Sequence, residues 1–154
     1  DVTLLNRTDG PGEPTADLLV RSGSLKGCVI EGALIPTLID ELPVIAVLAC
    51  FADGETVIRD AAELKVKESN RIAAMTEGLR AMGADAAETE DGMIIRGGQP
   101  LHGAVIDSRN DHRIAMSFAV ASLAADGETT IRDADCVDIS YPEFYADLRR
   151  LTRS

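Results

Sequence analysis

The sequence contains the same ten-residue segment twice, with nine of the ten positions identical. ADGETVIRDA at 52–61 returns as ADGETTIRDA at 125–134, an offset of 125 − 52 = 73 residues. An apolar stretch of helical length precedes each copy, PVIAVLACF at 43–51 and MSFAVASLA at 116–124. Similarity at a fixed separation indicates that one structural unit is used more than once. The fold must therefore be compatible with this repetition.

We assign approximate repeats to residues 15–80 and 90–154 of a single domain over 1–154. The sequence opens on the strand-like VTLL with no helix before it, so we expect the chain to be a piece of a longer protein. The segment RTDGPGEP at 7–14 is rich in Gly and Pro. These residues predict a linker without regular structure.

Each repeat alternates short β-branched runs with apolar stretches of helical length. The predicted strands lie within 17–22, 27–32, 55–60, 92–97, 103–108 and 128–133. The predicted helices cover about 42–52, 70–82, 112–124 and 142–151. Within the second helix one apolar face is formed by Ile72, Met75, Leu79 and Met82. Gly83 follows as a C-cap. The pattern predicts an α/β (α+β) domain.

Composition limits both the core and the partners of such a domain. Aromatic residues make up 3% and Trp is absent, so the core must be built from aliphatic side chains and Met. The net charge of −11 argues against nucleic acid or an anionic membrane as the main partner. The odd number of widely spaced cysteines matches neither a disulfide framework nor a metal site. The absence of a long apolar run or a signal-like start favours a cytoplasmic location.

Charged residues gather where predicted helices begin. Three loop-to-helix junctions carry these charges. PTLIDELP at 36–43 contains Asp40, KVKESNR at 65–71 places Lys67, Glu68 and Arg71 together, and SRNDHR at 108–113 ends in His112 and Arg113. An arginine at a helix N-terminus opposes the helix dipole unless an anion or carboxylate compensates it. We therefore predict a common cleft, lined by Asp40, Lys67, Glu68, Arg71, His112 and Arg113.

Simpler structural interpretations exist for the same residues. Lys67, Glu68 and Arg71 could form a solvated first turn with an i, i+3 ion pair. Asp40 could close a capping box with Thr37. Asp111 or Asn110 could be the N-cap of the third helix, and His112 could be an ordinary surface histidine.

Four ordered segments together resemble the C-terminal part of the 5-enolpyruvylshikimate-3-phosphate (EPSP) synthase family. They are LIPTLIDELPVIAVLACFADGETVI, LKVKESNRIAAMTEGLRAMGA, NDHRIAMSFAVASL and SYPEFYADL. The resemblance implies a two-domain enolpyruvyl transferase fold, each domain being assembled from βαβαββ units around a pseudo-threefold axis. The chain would be most of one domain, and the missing N-terminal portion of the enzyme would be its partner.

The resemblance also implies a reaction and roles for the charged residues. The reaction transfers the enolpyruvyl group of phosphoenolpyruvate to the 5-hydroxyl of shikimate 3-phosphate and releases phosphate. Asp40 would hold shikimate hydroxyls and take part in proton transfer, Glu68 would be the acid–base group, and His112 would orient or hydrogen-bond. Lys67 would contact substrate. Arg71 and Arg113 would bind the carboxylate or phosphate of phosphoenolpyruvate. We assign no metal site and no cofactor.

One departure and two rival functions accompany this interpretation. Many family members carry a lysine where this chain has Ile139, so no site residue is assigned there. One rival is the sister enzyme that uses UDP-N-acetylglucosamine as acceptor, although KESNR with NDHR favours the shikimate enzyme. The other rival is a non-catalytic repeat module that binds anions or a partner protein. It predicts no cooperation between Asp40, Glu68 and the arginines. The isolated chain is expected to be inactive.

Overall fold

The computed structural model describes residues 1–152, in which short strands alternate with helices. The strands are β1 (Val2–Thr8), β2 (Thr15–Val20), β3 (Val29–Ile30), β4 (Glu55–Ile58), β5 (Asp85–Glu88), β6 (Met93–Arg96), β7 (Val105–Asp107) and β8 (Thr130–Arg132). The α-helices are α1 (Leu34–Leu38), α2 (Leu42–Cys50), α3 (Arg71–Ala81), α4 (His112–Ser122) and α5 (Phe144–Thr152). Two 3₁₀ helices follow β4 and β8, at Ala62–Val66 and Ala134–Ile139.

One complete βαβαββ unit is formed by β3 to β6. The strand order in its sheet is β3-β4-β6-β5, with β3 parallel to β4 and the other neighbours antiparallel. The parallel pair is connected through α1 and α2, and α3 connects β4 to β5. The parallel pair β7 and β8, joined by α4, has the same βαβ arrangement as the first half of that unit. The predicted α/β class is confirmed.

Backbone contacts are alike in the two copies of the repeated segment. The amide of Gly27 donates to the carbonyl of Asp53, and that of Gly103 donates to the carbonyl of Asp126. A Cβ atom on either glycine would lie 2.2 Å from a backbone oxygen of the neighbouring segment. Because real Cβ atoms do not approach oxygen so closely, both repeats require glycine at this close backbone contact. The repeated sequence thus encodes a repeated backbone contact.

Apolar helical faces form the core between the sheet and the helices. The predicted apolar face of α3 is fully buried over Ile72, Met75, Leu79 and Met82. Gly83 has a φ of +92°, as expected of a glycine that ends a helix. Gly78 lets α4 approach closely, because a Cβ there would overlap the ring of Phe118. This close packing fixes the N-termini of α3 and α4 relative to one another.

Two local predictions are wrong, and one strand was missed. Arg7 and Thr8 belong to β1, so the irregular segment is only the loop between the two strands of a hairpin. Thr37 and Asp40 form no capping box, because α1 runs through Thr37 and its hydroxyl donates to the carbonyl of Leu34. The strand β5 was not predicted, since Asp85–Glu88 lacks β-branched residues.

The β1–β2 hairpin presents an apolar face to solvent. Val2 pairs with Val20 and Leu4 pairs with Leu18 across the strands, and each of these side chains is more than half exposed. Within residues 1–152, no helix is both long and apolar enough to cross a membrane.

Candidate functional site

The N-termini of α3 and α4 place the two predicted arginines in first helical turns. Asn70 caps α3 by accepting a hydrogen bond from the amide of Ala73 at 3.1 Å. Asp111 caps α4 by accepting one from the amide of Arg113 at 2.9 Å. Of the two predicted caps for α4, Asp111 is confirmed, whereas Asn110 is left-handed with a φ of +56°.

Arg71 is the centre of the charged cluster. Its Nε donates to Asp111 and its Nη1 donates to Asp40, both at 2.9 Å, and its Nη2 donates to Glu68 at 2.6 Å. The Arg71 side chain is only 1% exposed. The i, i+3 pair of Glu68 and Arg71 therefore exists, but it is not a solvated turn, because the arginine is buried and joins three separate loops.

Asp111 holds this cluster together, and sequence reasoning assigned it only as a helix cap. Its side chain is fully buried. One oxygen accepts from Arg71 and from the hydroxyl of Ser69 at 2.9 Å, and the other accepts from the amide of Arg113. Burial opposes ionisation of this carboxyl, but hydrogen bonds and charge from Arg71 outweigh it and lower its pKa. The aspartate before the His-Arg pair was the only available signal in the sequence.

The same opposing effects act on the arginine. Burial favours the neutral form of Arg71, but its hydrogen bond and ion pair with Asp111 outweigh burial and raise its pKa. Arg71 is thus a permanent cation whose charge is compensated inside the protein. Such pairs depend on both partners, because a buried charge left alone is strongly destabilising.

Asp40 connects Arg71 to the second arginine. Its Oδ2 lies 3.5 Å from Nη2 of Arg113, a side chain that is one-third exposed. The hydrogen bond from Arg71 lowers the pKa of Asp40, and the charges of Arg113 and Lys67 act in the same direction against partial burial. Asp40 and Arg113 also line a cavity of about 100 Å³ beside α2 and α4. The Asp40–Arg113 side of the cluster is therefore open to a ligand.

Lys67 and His112 complete the predicted set. Lys67 forms an ion pair with Glu63 and is partly buried. His112 is 8% exposed, so it is not an ordinary surface histidine. Among residues 1–152, its Nδ1 and the Nε of Arg113 are buried without a hydrogen-bond partner. Buried polar atoms are normally paired, so both atoms have unused hydrogen-bonding capacity at the start of α4.

The structure thus brings four predicted residues into one ion-paired cluster, Asp40, Glu68, Arg71 and Arg113. Lys67 precedes Glu68 directly, and His112 begins α4 beside Arg113. One feature differs from expectation. Arg71 is sealed by carboxylates, so in this structure it offers an anion much less access than Arg113 does. The catalytic and binding roles of these residues remain predictions.

The burial of Asp111 leads to a stability prediction. Asp111→Asn should lower the free energy of unfolding of the 154-residue chain by about 3 kcal/mol at pH 7, because Arg71 loses its buried counter-charge. Since the folded protein lowers the pKa of Asp111, its contribution is present above about pH 4 and is lost as pH falls through the folded value. Urea unfolding at pH 7 and pH 3 measures both effects.

Asp107→Asn is the matched control, because Asp107 caps the amide of Arg109 in the same turn but is exposed. It should cost much less than Asp111→Asn at pH 7, and the difference between the two variants should shrink at pH 3. A loss for Asp111→Asn that is equally large at pH 3 would show that its charge is not responsible.

The charged cluster lies in a segment that matches a known protein family. The model of the family described as EPSP synthase (3-phosphoshikimate 1-carboxyvinyltransferase) matches residues 11–148. This match includes every residue of the cluster. The chain belongs to the EPSP synthase family.

Sequence relatives in the EPSP synthase family are close. The chain is 60% identical to the 3-phosphoshikimate 1-carboxyvinyltransferase of Synechococcus sp. strain JA-3-3Ab, over 98% of the chain and 34% of that relative. It is 59% identical to the enzyme of the same name from Roseiflexus castenholzii, over 97% of the chain and 35% of the relative. The chain therefore spans about a third of the length of the curated relatives it matches.

Solved structures agree with this assignment. EPSP synthase from Acinetobacter baumannii has a TM-score of 0.91 at 42% identity, covering 97% of this chain and 36% of that one. The enolpyruvyl transferase NikO from Streptomyces tendae has a TM-score of 0.65 at 24% identity, covering 98% and 32%, and shares the fold. The predicted enolpyruvyl transferase fold is confirmed.

Proposed function

We propose that the full-length protein containing this chain transfers the enolpyruvyl group of phosphoenolpyruvate to the 5-hydroxyl of shikimate 3-phosphate and releases phosphate. One observation carries the proposal: Arg71 connects Asp40, Glu68 and Asp111, which come from three separate loops. The names of the close relatives support the choice of substrates. The reaction needs acid–base groups and cations in one place, and this cluster supplies both.

The acid–base chemistry falls to the two accessible carboxylates. A base must take the proton of the acceptor hydroxyl as its oxygen bonds to phosphoenolpyruvate, and an acid must protonate the methylene carbon. As phosphate leaves, a base must take a proton back from the resulting methyl group, which restores the double bond of the transferred enolpyruvyl group. Glu68 and Asp40 have exposed side-chain fractions of 51% and 43%, so substrate atoms can reach both. Glu68 is the acid–base group of this proposal. Asp40, held ionised by Arg71, binds acceptor hydroxyls and assists proton transfer.

The cations bind and stabilise the negative charges of the substrates. Arg113 is partly exposed, and its planar guanidinium suits a bidentate carboxylate or phosphate. Lys67 adds a further positive charge near the acidic groups. Within residues 1–152 the Nδ1 of His112 has no hydrogen-bond partner, which suits an orienting hydrogen bond to substrate at the start of α4. The remaining binding groups are proposed to come from the N-terminal portion of the protein, and the cytoplasmic location remains a prediction.

The rival functions fit these observations less well. A non-catalytic module predicts that the charges at the three junctions are independent, whereas Arg71 bonds directly to Asp40 and Glu68. The acceptor of the sister enzyme is disfavoured by relatives at 55–60% identity that are named for shikimate 3-phosphate chemistry.

A phosphate-release assay on the full-length protein tests the proposal directly. Phosphate should appear only when phosphoenolpyruvate and shikimate 3-phosphate are both present. UDP-N-acetylglucosamine in place of shikimate 3-phosphate should give no release above background. Phosphate release from phosphoenolpyruvate with UDP-N-acetylglucosamine as the sole acceptor, or with no acceptor, would contradict the assigned reaction.

The proposed role of Arg113 predicts a selective loss of affinity for one substrate. Arg113→Ala in the full-length protein should weaken phosphoenolpyruvate binding by about 10- to 100-fold, because a charge-assisted hydrogen bond contributes roughly 1.5–3 kcal/mol. Binding of shikimate 3-phosphate should change much less. Calorimetric titration with each substrate measures the difference.

Arg109→Ala is the control, since Arg109 precedes the same helix but pairs with Glu77 on the surface. It should leave both affinities close to those of the wild type. An equal loss of affinity for both substrates in Arg113→Ala would contradict the role assigned to Arg113.

A further inference from the structure

The three carboxylates around Arg71 are held with unequal firmness. Asp111 is fully buried and is fixed by Ser69 and the amide of Arg113 as well as by Arg71. Asp40 bridges Arg71 and Arg113. Glu68 is about half exposed, and among residues 1–152 its only ion-pair partner is Arg71. Glu68 is therefore the carboxylate that can leave most easily.

Movement of Glu68 requires little of the backbone. Glu68 lies in the segment between the 3₁₀ helix and α3, three residues before Arg71. Rotation about its side-chain bonds can carry the carboxylate from the guanidinium into solvent while the N-cap at Asn70 stays in place. Asp111 remains bonded to Nε during this movement, so Arg71 keeps a counter-charge.

The charge around Arg71 indicates why movement of Glu68 matters for anion binding. Arg71 and Arg113 carry two positive charges against the three carboxylates. Lys67 is paired with Glu63, so an incoming anion meets no excess of positive charge at the guanidinium of Arg71. Nη2 carries two N–H groups, and one of them donates to Glu68. A phosphate or carboxylate can use that N–H group only after the glutamate withdraws. Glu68 and the ligand therefore compete for the same N–H group.

We propose that Glu68 occupies Arg71 in the ligand-free protein and competes with anionic ligands for its guanidinium. Binding of an anion then has two results at once, because it occupies Arg71 and releases the Glu68 carboxylate toward the substrate. The acid–base group becomes free only when an anion is in place. This inference rests on the proposed function, to which it adds the order of events at the site.

Removing the competing charge should strengthen anion binding. Inorganic phosphate titrated into the full-length Glu68→Gln protein should bind roughly tenfold more tightly than into the wild type, because a neutral amide competes less well for a charged donor. Glu68→Ala should tighten binding in the same direction. Isothermal titration calorimetry at constant pH and ionic strength gives the dissociation constants.

The matched control is Glu77→Gln, which removes an equal charge from α3 at a surface pair with Arg109. It should leave the dissociation constant near the wild-type value, which separates local competition from a change in overall charge. Unchanged or weaker phosphate binding in both Glu68 variants, with wild-type melting temperatures, would overturn the proposal. Equal tightening in Glu77→Gln would overturn it as well.

Failure of this inference can be distinguished from failure of the proposed function. If the wild type releases phosphate from the two substrates but neither Glu68 variant binds phosphate more tightly, only the competition is wrong. If the variants bind phosphate more tightly and the wild type has no transferase activity, the competition stands and the reaction assignment is wrong.

Discussion

In the full-length protein, Glu68→Gln should lower kcat by about two to four orders of magnitude. The substitution keeps the shape of the side chain but removes the proton that general acid–base catalysis must transfer. Glu68 is positioned for that role because it is half exposed and touches the buried Arg71 at 2.6 Å. Affinity for shikimate 3-phosphate should change little, so the loss should appear in kcat. Steady-state phosphate release measures it.

Two comparisons make this result specific. Glu77→Gln should retain wild-type turnover, since within residues 1–152 Glu77 forms an ion pair with the surface residue Arg109 and with no member of the charged cluster. Single-turnover measurements should show that the chemical step, and not product release, has slowed. A Glu68→Gln enzyme with most of its activity would remove Glu68 from the mechanism.

Sequence periodicity was sufficient for the repeated parts of the fold. The apolar spacing of Ile72, Met75, Leu79 and Met82 predicts a buried helical face, and all four side chains are buried. The near-identical segments at 52–61 and 125–134 predict similar structure, and Gly27 and Gly103 make matching close backbone contacts. Such signals are strong because packing repeats with the period of the secondary structure.

Elements without periodicity were not predictable in this way. The five-residue helix α1 is too short to show an amphipathic period, and its presence removes Thr37 from the predicted capping position. The edge strand β5 consists of Asp, Ala and Glu, and it is a strand because it pairs with β6. Tertiary pairing outweighs local preference at both places.

The sequence predicted which residues form the candidate site but not how those residues pair with one another. The excess of arginine at helix N-termini identified Arg71 and Arg113, because such cations need compensation. The sequence could not indicate that carboxylates already compensate Arg71, since Asp40 and Asp111 are distant from it along the chain. Asp111 resembles an ordinary N-cap in the sequence, and only the packing of α3 against α4 gives it a second partner.

The 154-residue chain by itself should show no detectable enolpyruvyl transfer and at best about millimolar affinity for phosphate. It spans about a third of the length of its relatives, and the accessible parts of its cluster, Asp40, Glu68 and Arg113, face solvent. Two unit charges 4 Å apart attract by only about 1 kcal/mol in water and by several times more in a protein environment. Stabilising the transition state therefore requires a second protein surface that faces the cluster and excludes water from the site.

Adding the separately produced N-terminal portion to the chain should restore phosphate release. The exposed apolar face of the β1–β2 hairpin, with Val2, Leu4, Leu18 and Val20, is a surface that further sequence can cover. Phosphate release by the chain, by the N-terminal portion and by their mixture should be compared with the full-length protein at equal concentration. Only the mixture and the full-length protein should be active. If the 154-residue chain alone turned over substrate at the full-length rate, its own residues would form a complete active site. That result would contradict the need for a second protein surface and the roles proposed for the residues of the cluster.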